Sequence, residues 1–265
     1  MTTNTNISNR PISNDTIDKS AMQRLARIAG VLYLIIIVGG MFAGGFARPS
    51  LLVAGDATAT ATNIIASERL FRASILADLA MIMADVAIGV VFYYLLKSVN
   101  QRLSLLSALF RLAQAATLGI NLLMLLLALQ ILTGDLYSAA LGTEAANALA
   151  YLFLVAHDIG YKLALVFFAF SILIQGYLLY VSGYVPRILS VLLMVASVTY
   201  LAYSLASFAL MDYDSYATLF EMILVFIALP AELLLALWLL IKGVNLESSE
   251  KHGSVEVVPS GALHS

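Results

Sequence analysis

Six stretches of this chain are long and apolar enough to cross a lipid bilayer as helices, covering residues 25–47, 72–96, 103–132, 145–181, 186–210 and 216–241. A crossing takes about 20 helical residues, and lipid offers no partner for a backbone left without internal hydrogen bonds. The fourth stretch is longer than a crossing needs. It predicts either a tilted helix that protrudes or an interfacial helix ahead of the span. Composition agrees with a bilayer as solvent: 62% of the 265 residues are hydrophobic and 11% are charged, against about 45–50% and about 25% in soluble domains. The formal net charge of −2 offers no basic face for nucleic acid. Cysteine is absent, which excludes disulfides, thiolate metal sites and cysteine nucleophiles.

An even number of crossings returns both chain ends to one side. Nine basic residues fall on that side, Arg24, Arg27, Lys97, Arg102, Arg187 and Lys242 among them, against Arg48, Arg69 and Arg72 in the opposite loops. The bias of Lys and Arg towards the cytoplasm makes both termini cytoplasmic. The expected fold is therefore all-α, a six-transmembrane-helix bundle over residues 24–244. It is flanked by polar cytoplasmic tails, 1–23 and 245–265, that read as disordered. The polar lead is too long for a cleaved signal peptide, so the first apolar run is read as an uncleaved span. In the loop 48–71, the run from Asp56 to Phe71 fits a short surface helix and a solvated loop equally well. Gly40-Met-Phe-Ala-Gly44 has the small-residue spacing that lets a neighbouring helix approach the first span.

Ionisable residues inside these stretches carry the functional information. Asp78, Asp85, Arg111, Lys162, Glu221 and Glu232 sit in segments that otherwise read as lipid-soluble. A charge at the bilayer centre costs roughly 2.5–3.5 kcal/mol on insertion scales, so such residues pair with one another or serve a site. At about 1.5 Å per helical residue, Asp85, Arg111 and Glu232 fall at one depth. That predicts Arg111 held between two carboxylates, with Gln114 a turn further along and Asn121 deeper. Pro230 frees backbone carbonyls and predicts a kink at this level. The layer reads either as a gate or solute-binding site, or as a structural ion pair that sets helix register.

A second group lies towards the far side: Asp78, His157, Asp158, Lys162 and Glu221. It fits a vestibule, and it equally fits interfacial side chains snorkelling to water. One histidine with scattered aspartates (His157 and Asp158, with Asp78 or the Asp212/Asp214 pair) is too thin for a metal site, and none is expected. No Gly-x-Ser-x-Gly elbow and no phosphate-cradling glycine loop occur, so neither a serine nucleophile nor an ATP-driven pump has support, and no cofactor is expected.

Several strings resemble, in their order and spacing, a bacterial multipass membrane family catalogued as domain of unknown function 4386. They are Asn63 through Arg72, Leu95-Leu96-Lys97 with Val99-Asn100, Phe110-Arg111-Leu112, and Gly176-Tyr-Leu with Ser182-Gly-Tyr-Val-Pro-Arg-Ile-Leu189. The last is Pro230-Ala-Glu232 through Leu237-Trp238-Leu-Leu-Ile-Lys-Gly243. The resemblance spans about residues 24–244, and Ser190 stands where the family pattern has glycine. It implies a six-span fold in a bacterial inner membrane and singles out Arg72, Arg111, Pro186, Arg187 and Glu232. It implies no activity.

The expected function is binding or conduction of a small polar or amphipathic solute through a charged interior centred on Asp85, Arg111, Gln114 and Glu232. The alternatives are an intramembrane lipid-modifying enzyme using His157, Asp158 and Glu221, and a non-catalytic membrane partner or sensor. The expected surroundings are the lipid bilayer and a small-molecule or lipid ligand. Oligomeric state and enzymatic activity stay open, with the balance against an enzyme.

Overall fold

A computed structural model describes residues 14–246, and the rest of the two expected tails, 1–13 and 247–265, lies outside the described residues. Helix α1 (Asn14–Gly40) opens within the segment expected as an N-terminal tail and continues as a wider π-helical stretch, Met41–Ala47. A short α2 (Ala57–Ala66) precedes the long α3 (Glu68–Leu96) and α4 (Gln101–Thr133). A short α5 (Asp135–Leu141) leads into α6 (Thr143–Ser182), then α7 (Arg187–Ala209). The last crossing is built from α8 (Ala217–Ile223), a π-helical stretch (Leu224–Ala228) and α9 (Leu229–Ile241). Among the described residues, six helices long and apolar enough to span result, as the sequence predicts.

Their packing order is a closed ring. Helix α1 packs on α3, α3 on α4, α4 on α6, α6 on α7, α7 on the sixth crossing, and α9 returns to α1. Consecutive spans therefore pack on one another, as short connections favour, and the first meets the last. The outside carries exposed apolar side chains such as Leu76, Met83, Ile120, Val198 and Phe226. The inside buries Ser74, Asp85, Ser107, Arg111, Gln114, Ser171, Gln175 and Glu232. This inside-out arrangement follows from the solvent: lipid accepts leucine and rejects anything that needs a hydrogen bond.

Close helix approach is set by glycines, though at positions other than the Gly40/Gly44 pair. A Cβ on Gly40 or Gly44 would meet only side-chain tips, Met81 Sδ and Arg48 Nη2, each at 3.5 Å. At Gly30 a Cβ would lie 2.7 Å from the Leu240 nitrogen and 2.8 Å from the Ala236 carbonyl oxygen, so α1 and α9 meet backbone to backbone there. The reason is the ring: α1 must close against α9, and no side chain fits between them. Serines perform the same service between α4 and α6. Ser107 Oγ donates to the Ser171 carbonyl and Ser171 Oγ donates to the Ser107 carbonyl, each at 2.9 Å.

Both described ends meet at one face of the bundle, here the terminal face. Gln23 Nε2 donates to the Val244 carbonyl at 2.5 Å, and the Val244 N–H donates to Gln23 Oε1 at 3.2 Å. Gly243 makes this turn at φ +72°, where a Cβ would also collide with the Gln23 side chain. The Asn245 N–H then donates to the Tyr184 carbonyl at 2.8 Å in the α6–α7 loop.

At the opposite, far face, α6 overhangs. A helix of 40 residues is about 60 Å long, twice the hydrocarbon thickness, so the protruding-helix expectation holds and α5 adds a short helix before it. The overhang is covered by α2, whose Ala61 and Ile64 are buried. That helix starts at Asp56, whose carboxylate accepts from the Ala59 N–H at 2.8 Å, a standard N-cap. The 48–71 loop thus contains a helix packed on protein.

Gly30→Leu should open the α1–α9 seam and lower stability by roughly 1–3 kcal/mol, the usual cost of overpacking. Thermal unfolding of the detergent-purified protein measures it, and an unchanged melting temperature would contradict the seam.

Candidate functional site

Every spanning helix contributes to one buried layer. Tyr33 comes from α1, Asp85 from α3, Arg111 and Gln114 from α4, Phe168 and Gln175 from α6, Tyr200 from α7 and Glu232 from α9. Counted from the terminal face at about 1.5 Å per residue, Tyr33, Asp85, Arg111, Tyr200 and Glu232 all lie about 13–20 Å deep, near the bilayer centre.

Arg111 is the hub. Only 2% of its side chain is exposed, and its Nη2 lies 2.7 Å from Asp85 Oδ1, itself 1% exposed. Gln114 Nε2 donates to the other carboxylate oxygen, Asp85 Oδ2, at 3.0 Å. The guanidinium carbon sits 4.6 Å from the centre of the Phe168 ring and 5.6 Å from that of Tyr33, so two aromatic faces share the cation. Tyr33 is fully buried and its hydroxyl accepts from Gln175 Nε2 at 3.0 Å, bridging α1 and α6 across the ring. Among the described residues, Arg111 Nε and Nη1 nevertheless have no hydrogen-bond acceptor, and Gln114 Oε1 has no donor. Nη2 is committed to the Asp85 carboxylate, which leaves Nε and Nη1 as the guanidinium's open donors.

Glu232 shares the layer but not the pair. The predicted Asp85–Arg111–Glu232 triad is replaced by two separate contacts, because Glu232 Oε1 accepts from the Tyr200 hydroxyl at 2.7 Å. Ring order explains the difference. Helix α3 is beside α4, and α7 is beside α9, whereas α4 and α9 stand on opposite sides with the Tyr33 and Phe168 rings near the guanidinium. Just before Glu232, Pro230 lacks an N–H and its ring crowds the carbonyl four residues back. The Leu229 N–H accordingly reaches the Leu224 carbonyl, five residues back, in the π-helical stretch. The expected irregularity is a widened turn on the far side of Pro230, an arrangement often found near functional sites.

A second buried pair lies two turns along α3. Asp78 Oδ2 meets Arg48 Nη1 at 2.5 Å, and both side chains are buried. Arg48 reads in the sequence as a loop charge, but the π-helical end of α1, closed by the Arg48 N–H on the Ala43 carbonyl at 3.1 Å, brings it inward. Asp78 therefore pairs across the α1–α3 seam and stays apart from Lys162.

The remaining far-side residues do not gather around one point. His157 is buried, its ring beside Tyr161, and its backbone carbonyl accepts from Asn121 Nδ2 at 2.9 Å. Gly160 makes room, since a Cβ there would strike the Asn121 amide. Lys162 Nζ pairs with Asp158 Oδ2 at 2.6 Å, one turn away, and lies 5.1 Å from the Tyr213 ring centre and 5.7 Å from that of Tyr203. Glu221 is exposed on α8. Among the described residues, no three His, Asp or Glu side chains group as a metal would require.

Arg48, Tyr33, Phe168, Gln175 and Tyr200 escape the sequence reading. The two tyrosines did leave a signal: both fall in mid-span, away from the interfaces where tyrosine usually lies. Arg48 left none, because nothing in a loop sequence shows that the chain turns back into the bundle.

Removing Arg111 with alanine should destabilise by roughly 3–5 kcal/mol, since Asp85 is left buried and unpaired. In a double-mutant cycle read by thermal unfolding, Arg111→Ala and Asp85→Asn should couple by about 1–3 kcal/mol. Arg111→Ala with Glu232→Gln should couple less. A larger Glu232 coupling would refute the pairing described above.

Residues 28–243 match the profile of a family described as Domain of unknown function (DUF4386). An uncharacterized protein of Archaeoglobus fulgidus is 32% identical over 173 residues, covering 65% of this chain and 85% of that protein. No solved structure matches the chain.

Proposed function

This chain belongs to the DUF4386 family as a multipass integral membrane protein, and we propose that it binds a small polar or amphipathic solute at its central layer and carries it across the bilayer. The observation behind this reading is the state of Arg111. A buried guanidinium normally exhausts its donors, because an unmade hydrogen bond to a buried polar group costs about 1–3 kcal/mol. Here one carboxylate and two rings hold the cation in place through Nη2 and its faces, and Nε and Nη1 still lack acceptors among the described residues. A carboxylate, phosphate or carbonyl on a solute is the complement of those donors. Glu232 and Tyr200, across the ring, offer an acceptor and a hydroxyl to the solute's other end.

The layer is enclosed. A gap beside Arg111, bounded by Gly89, Ser107, Ser171 and Gln175, is too tight for a water molecule, so loading requires neighbouring helices to part. Irregular backbone stands at the π-helical end of α1 and within the sixth crossing, and the buried Arg48–Asp78 pair lies on the far side of the layer; we assign the parting to these points. On this reading the terminal face meets the cytoplasm, as the Lys and Arg bias favours, and the far face is the outer one of the cell membrane. The tight gap also favours a second reading, in which the layer only holds the helices in register.

Transport by purified protein in proteoliposomes separates the two. Against a panel of labelled carboxylates, phosphates and amino acids, the wild type should move at least one solute. Glu232→Gln and Arg111→Lys should each reduce that flux by about tenfold or more, the loss expected on removing one charge-assisted hydrogen bond, while both variants still elute as folded protein. Unchanged flux in the folded variants would remove the layer from the transport path. No flux in the wild type would leave the register-holding role.

A further inference from the structure

The far face carries a cavity that the central layer does not use. It lies between α6, α7 and the 213–215 turn, encloses about 310 Å³, and is lined by Asp158, Lys162, Ser207, Met211, Tyr213 and Asp214 together with neighbouring apolar side chains. None of these residues belongs to the Arg111 layer. We propose that this cavity holds the headgroup of an amine-bearing phospholipid from the far-face leaflet, its phosphate on Lys162 and its ammonium between Asp158 and Asp214.

Position comes first. Lys162 on α6 and Ser207 on α7 each lie 20 residues from the terminal-face end of their helix, Ser182 and Arg187, which is about 30 Å at helical rise and so the far edge of the hydrocarbon core. A cavity at that height meets lipid headgroups. Its apolar border, Ile159, Phe208, Leu210 and a wholly exposed Met211, continues onto the lipid-facing surface where acyl chains run.

Charge then selects the headgroup. One lysine and two aspartates line the space. A phosphate without an amine would face two carboxylates, and an amine without a phosphate would face the lysine. A zwitterion satisfies all three. The lysine is held ready: its side chain is 13% exposed, fixed by Asp158 at 2.6 Å and flanked by the Tyr203 and Tyr213 rings, so little side-chain freedom is lost on binding. A primary ammonium donates three hydrogen bonds, enough to bridge two carboxylates. A choline group donates none, so ethanolamine is preferred.

Native mass spectrometry of the full-length protein, titrated in detergent with phosphatidylethanolamine, phosphatidylglycerol or phosphatidylcholine, tests this. Phosphatidylethanolamine should bind about tenfold more tightly than either of the others, the equivalent of one charge-assisted hydrogen bond. Lys162→Gln should weaken it by a similar factor. Asp214→Asn, at an exposed position, should weaken phosphatidylethanolamine and leave phosphatidylglycerol no weaker than before. Equal binding of the three lipids, or no effect of Asp214→Asn, would overturn the proposal. So would soluble glycerophosphoethanolamine binding as tightly as the lipid, because the acyl chains would then contribute nothing. The outcome is independent of whether the central layer transports a solute.

Discussion

The Arg111–Asp85 pair is the contact around which the bundle is organised. Lipid cannot solvate a guanidinium, so the cation must be surrounded by protein from every side. Six helices achieve this by closing into a ring, with Asp85 and Gln114 on one side of the cation, Phe168 and Tyr33 over its faces, and Glu232 with Tyr200 beyond. Other buried polar groups and glycines serve the same closure. Ser107 and Ser171 draw α4 onto α6, Asn121 enters the space left by Gly160, and Gly30 lets α1 reach the backbone of α9.

Two layers of charge are stacked on α3, seven residues apart and thus on nearly the same helical face. Asp85 faces Arg111 at the centre, and Asp78 faces Arg48 nearer the far side. Both irregular stretches of backbone stand in this far half: the π-helical end of α1 that delivers Arg48, and the widened turn before Pro230 that precedes Glu232. Regular helices hold the terminal half, where Gln23, Val244, Asn245 and Tyr184 clasp the ends together. The bundle is therefore stiffly tied at one face and irregular at the other.

Much of this was legible in the residues. Apolar length alone marked six crossings, since the bilayer thickness leaves no other use for such runs. The depth count brought Asp85, Arg111 and Glu232 to one level, where they stand. It misassigned the partners because depth is a one-dimensional coordinate. Which helix lies beside which is decided by packing around the ring, and that order gave Arg111 to Asp85 and Glu232 to Tyr200. The far-side group stays scattered for a related reason: Lys162 and Asp158 pair within one helix beside a cavity, His157 turns into the protein, and Glu221 faces out.

Sequence by itself determined the solvent, the number of crossings, the side-by-side return of the chain ends and the level of the central charges, because each depends on hydropathy and helical rise along one chain. Tertiary structure alone decided the closed ring, the aromatic faces over Arg111, the inward turn of Arg48 and the far-face cavity around Lys162. Those depend on distances between helices, which glycine contacts, serine clasps and a π-helical turn set, and which no single helix encodes.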